Sequence, residues 1–378
     1  MNKLTQKLIP RKTHFVGVDI GAHSIKVVET RVLENDVEVV SQHSYPSVPG
    51  VWTDNFDEEA LVVALNQGTI PLNEVIACIG GEKVITRSSR FPAMSDRELA
   101  SAVQIEIGKF LPVSTEQMEV RYVRLDQDPG IQISKKVPMD IADGAGQRVL
   151  LLAVPSATVY QYHSIFLRAG MTVTAFDLQA FALWRVFGRD LAGTVAIIDI
   201  GERTSQLVVI KNGSIQFIRL MPVGGETLTK AVADTFGVGI AQARELKGES
   251  SVARDSEIYL QSGVPQRIGN ALREGLTELI KEVHRSLNFC STQERLNVER
   301  IILSGGTSKL NGITDYCQEM LGLKTEIGIP QAGLPGQNAS LRLNSKGKIF
   351  DIQAEMPGQG YDPAYAVALG LAMRGMEP

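Results

Sequence analysis

Short apolar blocks of strand length recur along this chain, and two of them break at the same polar turn. Phe15–Val18 and Ser24–Thr30 flank Asp19-Ile20-Gly21-Ala22-His23, a pattern that predicts strand, tight turn, strand. A third strand is predicted at Val37–Ser44, a helix at Glu58–Leu65 and a further strand at Glu74–Ile79. The same grammar returns near residue 194. Strand Thr194–Ile198 leads into the turn Asp199-Ile200-Gly201-Glu202-Arg203 and strand Ser205–Ile210; after an Asn212-Gly213 hairpin signal comes strand Ser214–Met221.

A block of different rhythm, Lys83–Leu167, lies between the two hairpins. It opens with strand Lys83–Arg90. Ser95 then has Glu98 three residues on, a capping-box spacing that predicts an amphipathic helix running to about Phe110 and stopped by Pro112. Strands Met118–Leu125 and Arg148–Val154 bracket a polar loop, and Ala157–Ala169 reads as a second helix, so the block is a small α+β module. The chain resumes with strand Thr172–Phe176 and helix Leu178–Phe187. After the second hairpin, helices are predicted at Glu226–Phe236, Ile240–Leu246 and Val264–Ser291. Strand Arg300–Ser304 runs into Gly305-Gly306-Thr307-Ser308. Ile329–Tyr361, rich in Gly, Pro, Asn and Gln, reads as a long irregular insertion, and Pro363–Met373 as a closing helix.

A chain of 378 residues exceeds one ordinary core, which predicts several domains. With 44% apolar residues, 21% charged residues and a net charge of -4, it has the composition of a soluble globular protein and no electrostatic reason to bind nucleic acid. Cys78, Cys290 and Cys317 are far apart and form no Cys-x-x-Cys pair, so they read as buried thiols in a reducing compartment. The scattered histidines argue against a protein-built transition-metal site. No apolar run reaches the ~20 residues of a membrane span. The start carries Lys3, Lys7, Arg11 and Lys12 without a hydrophobic stretch behind them, so no secretory signal is expected and a cytoplasmic location is. That basic start, broken by Pro10, reads as a plain terminus, with contact to an anionic membrane surface as the lesser alternative.

The repeated turn carries candidate chemistry. A Gly-containing hairpin turn offers converging backbone N–H groups to a phosphate without a Cβ in the way. Gly21, Ala22, His23 and Ser24 form one such turn; Gly201, Glu202, Arg203, Thr204 and Ser205 form the other, with hydroxyl donors at Ser24 and Thr204. Asp19 and Asp199, ending the two opening strands, can hold Mg²⁺ through its waters, because that ion takes one or two carboxylates and keeps much of its hydration. Lys26 is a point charge within reach of a β- or γ-phosphate. One Asp-x-Gly hairpin reads as a simple turn. Two copies, 180 positions apart, predict a duplicated fold that clamps ATP and Mg²⁺ from both sides. Gly305, Gly306, Thr307 and Ser308, after a strand, let backbone lie flat against an adenine or ribose.

These residues resemble the actin-like ATPase superfamily, with the hairpins as its two phosphate motifs and Ile302–Thr307 as its adenosine motif. Within it, Phe91–Leu99, Lys109-Phe110-Leu111-Pro112 and the stretch from Arg168 to Asp177 are similar to the PilM family of type IV pilus assembly proteins, with the FtsA division proteins next. The resemblance covers nearly the whole chain. It implies an α/β, actin-like (ribonuclease H-like duplicated) fold with an inserted small α+β subdomain: 13–82 begins the first half, 83–167 is the insertion, 168–192 completes the first half and 193–378 is the second. It also implies Mg²⁺ at Asp19 and Asp199, phosphate contact by Lys26, and a catalytic role for Asp199 beside Gln179, which orients the attacking water. Gly224, Gly225 and Glu226 would meet sugar and phosphate, and Lys247 the ribose. Relatives usually offer Glu three residues before that lysine; here Arg244 stands there, leaving Glu245 or Glu226 as the replacement. A polar helix start is the plain alternative for Gln179, and a solvated lysine for Lys247.

The function this resemblance implies is an ATP-binding scaffold of the type IV pilus inner-membrane platform, at the inner face of the cell membrane, with slow or no hydrolysis. Its partner would be a PilN-like single-pass membrane protein, whose cytoplasmic tail docks in a groove beside the inserted module. Contact with pilus motor ATPases and self-association stay open. So do two other functions: an FtsA-like division protein, whose basic amphipathic end Leu371–Pro378 does not resemble, and a small-molecule kinase, for which no general base stands out.

Overall fold

The computed structural model describes all residues except 1–12, 33–36, 54, 69, 71–73, 81–82, 126–145, 190, 253–262, 331–340, 346–347, 352–360 and 377–378. The basic start and most of the polar loop of the inserted module lie outside the described residues. Two larger sheets carry the molecule. In the first, β1 (His14–Ile20), β2 (Ser24–Val32) and β3 (Val37–Pro46) form an antiparallel meander. Helix α1 (Glu58–Gln67) leads to β4 (Glu74–Cys78), parallel to β1, and β8 (Thr172–Asp177) lies parallel to β4. The second sheet repeats this order: β9 (Thr194–Ile200), β10 (Ser205–Lys211) and β11 (Ser214–Met221) are antiparallel, and β12 (Arg300–Ser304) and β13 (Lys324–Ile327) extend it in parallel. Near-continuous apolar runs such as Val195–Ile198 suit strands buried on both faces.

Helices α5 (Gly225–Phe236), α6 (Ile240–Gly248) and α7 (Val264–Thr292) cover one face of the second sheet. Between β12 and β13 stands α8 (Ile313–Leu321), bounded by left-handed Gly312 and Gly322; neither α8 nor the four-residue β13 was among the elements expected from sequence. The stretch expected to be an irregular insertion holds two short strands, β14 (Leu341–Ser345) and β15 (Lys348–Asp351), and β14 pairs with β3 of the first sheet.

The module between the hairpins is a three-stranded sheet in the order β5 (Ile85–Phe91), β7 (Gln147–Pro155), β6 (Met118–Arg124), with α2 (Asp96–Gly108) on one face. The expected capping box starts α2: Glu98 N–H donates to Ser95 Oγ at 3.4 Å, and Ser95 N–H to Glu98 Oε2 at 2.9 Å. Leu99, Val103 and Ile107 pack on Val149 and Leu151. Leu150 and Leu152, on the other face, join the central core with Phe181 and Ile218. Arg148 extends this contact, donating to the Gln216 side chain at 2.7 Å, the Gln216 carbonyl at 3.1 Å and Glu294 at 3.1 Å.

Helix α3 (Ser156–Arg168) returns the chain to β8, and α4 (Gln179–Leu183) then crosses to the second sheet, ending in a π-helical turn, Trp184–Gly188. Trp184 Nε1–H anchors this end on the carbonyl of Gly213, in the expected Asn-Gly turn, whose two residues have φ of 48° and 79°. The last helix, α9 (Ala366–Arg374), crosses the other way and packs on β1. Close approach demands glycine there: a Cβ on Gly17 would sit 2.0 Å from Ala368 O, and one on Gly370 2.1 Å from Ala182 O. Asp177, at the end of β8, lies 2.6 Å from Arg185 on the π-helical turn and 3.6 Å from Arg374 on α9, which ties both crossing elements together.

Candidate functional site

The ends of β1 and β9 open into one cleft of about 930 Å³. The two hairpin turns close alike: Gly21 N–H donates to Ser24 O and Gly201 N–H to Thr204 O, each at 3.0 Å. Register places Lys26 opposite Asp19 and Gln206 opposite Asp199. Asp19 is 5% exposed; Lys26 Nζ lies 3.8 Å from its Oδ2, and the Cys78 thiol is 3.5 Å from its Oδ1. Burial, and then the negative charge of Asp19, push the Asp199 carboxyl up to about 6, against the pull of Lys26 and the Ser304 hydroxyl. Two carboxylates thus repel across a space lined by turn amides. That arrangement suits a divalent cation carried with phosphate and water. Among the described residues, no group of three or more His, Cys, Asp and Glu could hold a metal by itself.

Three walls surround this space. Gly21, Ala22, His23, Ser24 and Lys26 line one side. Gly201, Glu202, Arg203 and Thr204 line the facing side, and Gly305, Gly306 and Thr307 the third. Thr307 Oγ1–H donates to Gly201 O at 3.1 Å. Gly305 has φ of 86°, and a Cβ on it would meet Ile200 O at 2.5 Å, so only glycine lets this turn close on β9.

Other residues expected at the ligand stand behind these walls. Gly225 N–H and Glu226 N–H donate to Gly201 O at 2.8 Å and Glu202 O at 2.7 Å, so the Gly224-Gly225-Glu226 segment braces the second turn from behind. The Glu226 carboxylate pairs with Lys230 at 2.9 Å. Ser205 donates to Val223 O at 2.6 Å, and Ser308 to Gly305 O at 2.7 Å, both from buried positions.

Glu202 organises one wall of the cleft. Arg244 donates to its Oε1 at 2.7 Å, and Lys247 Nζ lies 3.8 Å from its Oε2 while donating to Gly225 O at 3.0 Å. The carboxylate beside Lys247 is therefore Glu202, reached across the fold, whereas Glu226 and the exposed Glu245 lie outside the cleft lining. Burial pulls the Lys247 pKa down, Arg244 adding to this and Glu202 opposing it. Burial and then Arg244 also lower the pKa of His23, against the pull of Glu202.

Gln179, first residue of α4, lines the cleft floor next to Gly80. Sequence reasoning missed three further contributors. Gln206 had a readable signal, since it follows Asp199 by the interval that separates Lys26 from Asp19. Trp52 had none: it has a φ of 73°, donates to Ile20 O at 2.6 Å and stacks on Tyr162 at 4.2 Å. The Lys309–Asp362 pair, 2.8 Å apart, closes the rim by joining segments far apart in the chain.

The duplicated sheet order, the crossing helices and the inserted module make the fold actin-like. The PilM–PilN type IV pilus biogenesis complex has a TM-score of 0.74 to this chain at 24% identity, covering 98% of this chain and 100% of that one. Cell division protein FtsA of Enterococcus faecalis is 22% identical over 417 residues, covering 95% of this chain and 90% of FtsA. FtsA of Neisseria meningitidis is 22% identical over 346 residues, covering 83% of each. The family model of type IV pilus assembly protein PilM matches residues 17–376, and the chain belongs to that family.

Proposed function

We propose that this type IV pilus assembly protein is a nucleotide-switched scaffold that binds ATP with Mg²⁺ in the cleft and docks the cytoplasmic tail of a PilN-like membrane protein. The observation that carries the reading is the placement of Asp19 and Asp199 at the ends of two identically closed hairpins facing one space. The turn amides of both hairpins take the phosphates, and Lys26 adds charge from one side. Glu202, held by Arg244 and Lys247, accepts from ribose hydroxyls. Bound at Asp19 and Asp199 through its waters, Mg²⁺ would neutralise phosphate charge.

Hydrolysis is slow or absent on this reading, because Gln179 orients a water and takes no proton from it. The halves run from 13 to 82 with 168–192, and from 193 onward, with 83–167 as the inserted docking module. No helix among the described residues is long and apolar enough to cross a membrane. We place the protein on the cytoplasmic face of the membrane through the proposed PilN-like partner, a pairing supported by the similarity to a PilM–PilN complex. Calorimetry of the full chain with ATP and Mg²⁺ tests the site: Asp199→Asn should weaken binding at least about tenfold, and undiminished binding would sink the assignment. Retention of the chain on an immobilised PilN-like tail peptide tests the partner.

A further inference from the structure

Trp52 holds a backbone conformation that its side chain disfavours. Its φ of 73° lies in the left-handed region, where the Cβ of a bulky aromatic residue crowds the backbone. Among the described residues, positive φ outside glycine is shared with Asn212 and Arg295, and Asn212 belongs to an Asn-Gly turn that calls for it. No turn rule calls for tryptophan, so its contacts must hold it there.

Those contacts lead in two directions. Toward the cleft, the indole Nε1–H donates to Ile20 O at 2.6 Å. That carbonyl shares one rigid peptide plane with Gly21 N–H, which closes the first hairpin turn on Ser24 O. Whatever grips the turn therefore fixes the oxygen that the indole holds. Ser47 N–H takes His23 O at 3.1 Å, so the segment between β3 and α1 meets the turn at both ends. Away from the cleft, the indole stacks on Tyr162, with centroids 4.2 Å apart and planes 18° apart. Tyr162 is buried on α3, and α3 starts directly after β7, the middle strand of the inserted module. One side chain thus joins a phosphate turn to the helix that continues the module.

Resting on the nucleotide reading above, we propose that Trp52 is a sensor residue, which reads the γ-phosphate through Ile20 O and passes its presence to α3 through the stack on Tyr162. A γ-phosphate on the first turn holds Ile20 O against the indole and keeps Trp52 in its costly conformation. Without that phosphate the turn yields, Trp52 relaxes toward negative φ, and α3 loses its aromatic brace. The held and relaxed backbones are the two states that such a relay requires.

Hydrogen exchange of the full chain tests this, with Mg²⁺–ADP and with Mg²⁺ and an ATP analogue whose β–γ bridge is an imide. In the unsubstituted chain the analogue should slow exchange in Ser156–Arg168 about fivefold relative to ADP. Trp52→Phe keeps a ring for Tyr162 and lacks the N–H for Ile20. The difference in α3 should vanish in it, while both nucleotides still protect Ile20–Ser24. A difference that survives in Trp52→Phe, even with α3 exchange faster throughout, means that the indole only braces the fold and overturns the proposal. So does an unsubstituted chain whose α3 exchanges alike with both nucleotides, an outcome that leaves the nucleotide reading standing. Failure of either nucleotide to protect Ile20–Ser24 in the unsubstituted chain removes both. Should Trp52→Phe not fold, Tyr162→Leu, which removes the stack and keeps the indole N–H, must abolish the same difference, with protection of Ile20–Ser24 as its folding control.

Discussion

Lys26 faces Asp19 across the first hairpin with Nζ 3.8 Å from Oδ2, and the matching place opposite Asp199 is held by neutral Gln206. The duplication is therefore symmetric in backbone and asymmetric in charge. One carboxylate has a cation directly across the ladder, whereas the other has only the more distant pull of that same lysine.

Lys26→Ala should weaken ATP binding by about tenfold or more, each factor of ten being about 1.4 kcal/mol. ADP should suffer less, since on the proposed reading the lysine serves the β- and γ-phosphates. Titration calorimetry with both nucleotides checks the order; equal losses would mean that Lys26 acts only through Asp19.

Asp199 makes stability depend on pH. Its carboxyl is raised from 3.8 to about 6, so the folded state holds the proton more tightly than the unfolded chain does. The contribution is present below the unfolded pKa and is lost as pH rises to about 6. Without nucleotide, Asp199→Asn should gain on the order of 1–2 kcal/mol at pH 7.5 and flatten that decline. Thermal melts between pH 4.5 and 7.5 read it directly. A variant melting at or below the unsubstituted chain at pH 7.5 contradicts the electrostatic cause.

Gly370→Ala should destabilise the protein, although alanine is favoured over glycine in a helix by about 1 kcal/mol. The added Cβ would lie 2.1 Å from Ala182 O, so α9 and α4 must separate, which costs about 1–3 kcal/mol. A rise in the denaturant midpoint would show that the crossing can relax.

Arg148→Ala removes donors to Gln216 and Glu294 at a largely buried contact between the module and β11. A loss of about 1–3 kcal/mol is expected. Faster hydrogen exchange in Gln147–Pro155 and Ser214–Met221 should accompany it. Unchanged exchange there would mean that Leu150 and Leu152 alone hold the module in place.

The parts legible in sequence were those whose signal is local. A strand-turn-strand with Asp, Gly and a hydroxyl residue is written within about ten residues, as is the Ser95–Glu98 capping box, and both stand where expected. α8 and β13 escaped because a nine-residue helix and a four-residue strand carry too little periodicity to separate from loop. Gly224-Gly225 reads the same whether its amides face a ligand or another stretch of backbone. Here Gly225 N–H meets Gly201 O and the next amide, of Glu226, meets Glu202 O, and only the packing of α5 against the second turn selects those partners. The Glu202–Arg244 pair spans 42 residues and lies beyond any local window.

By itself, then, the chain's order of residues determined the two hairpins, their repetition and the chemistry of their turns, because turn type and strand alternation depend on neighbours a few positions away. Tertiary structure decided that α9 crosses onto the first sheet, that Glu202 stands between Arg244 and Lys247, and that Trp52 joins Ile20 to Tyr162. Those outcomes depend on the relative placement of elements far apart in the chain. Close approach at Gly17 and Gly370, and burial of the charges at Asp177 and Arg185, fix that placement.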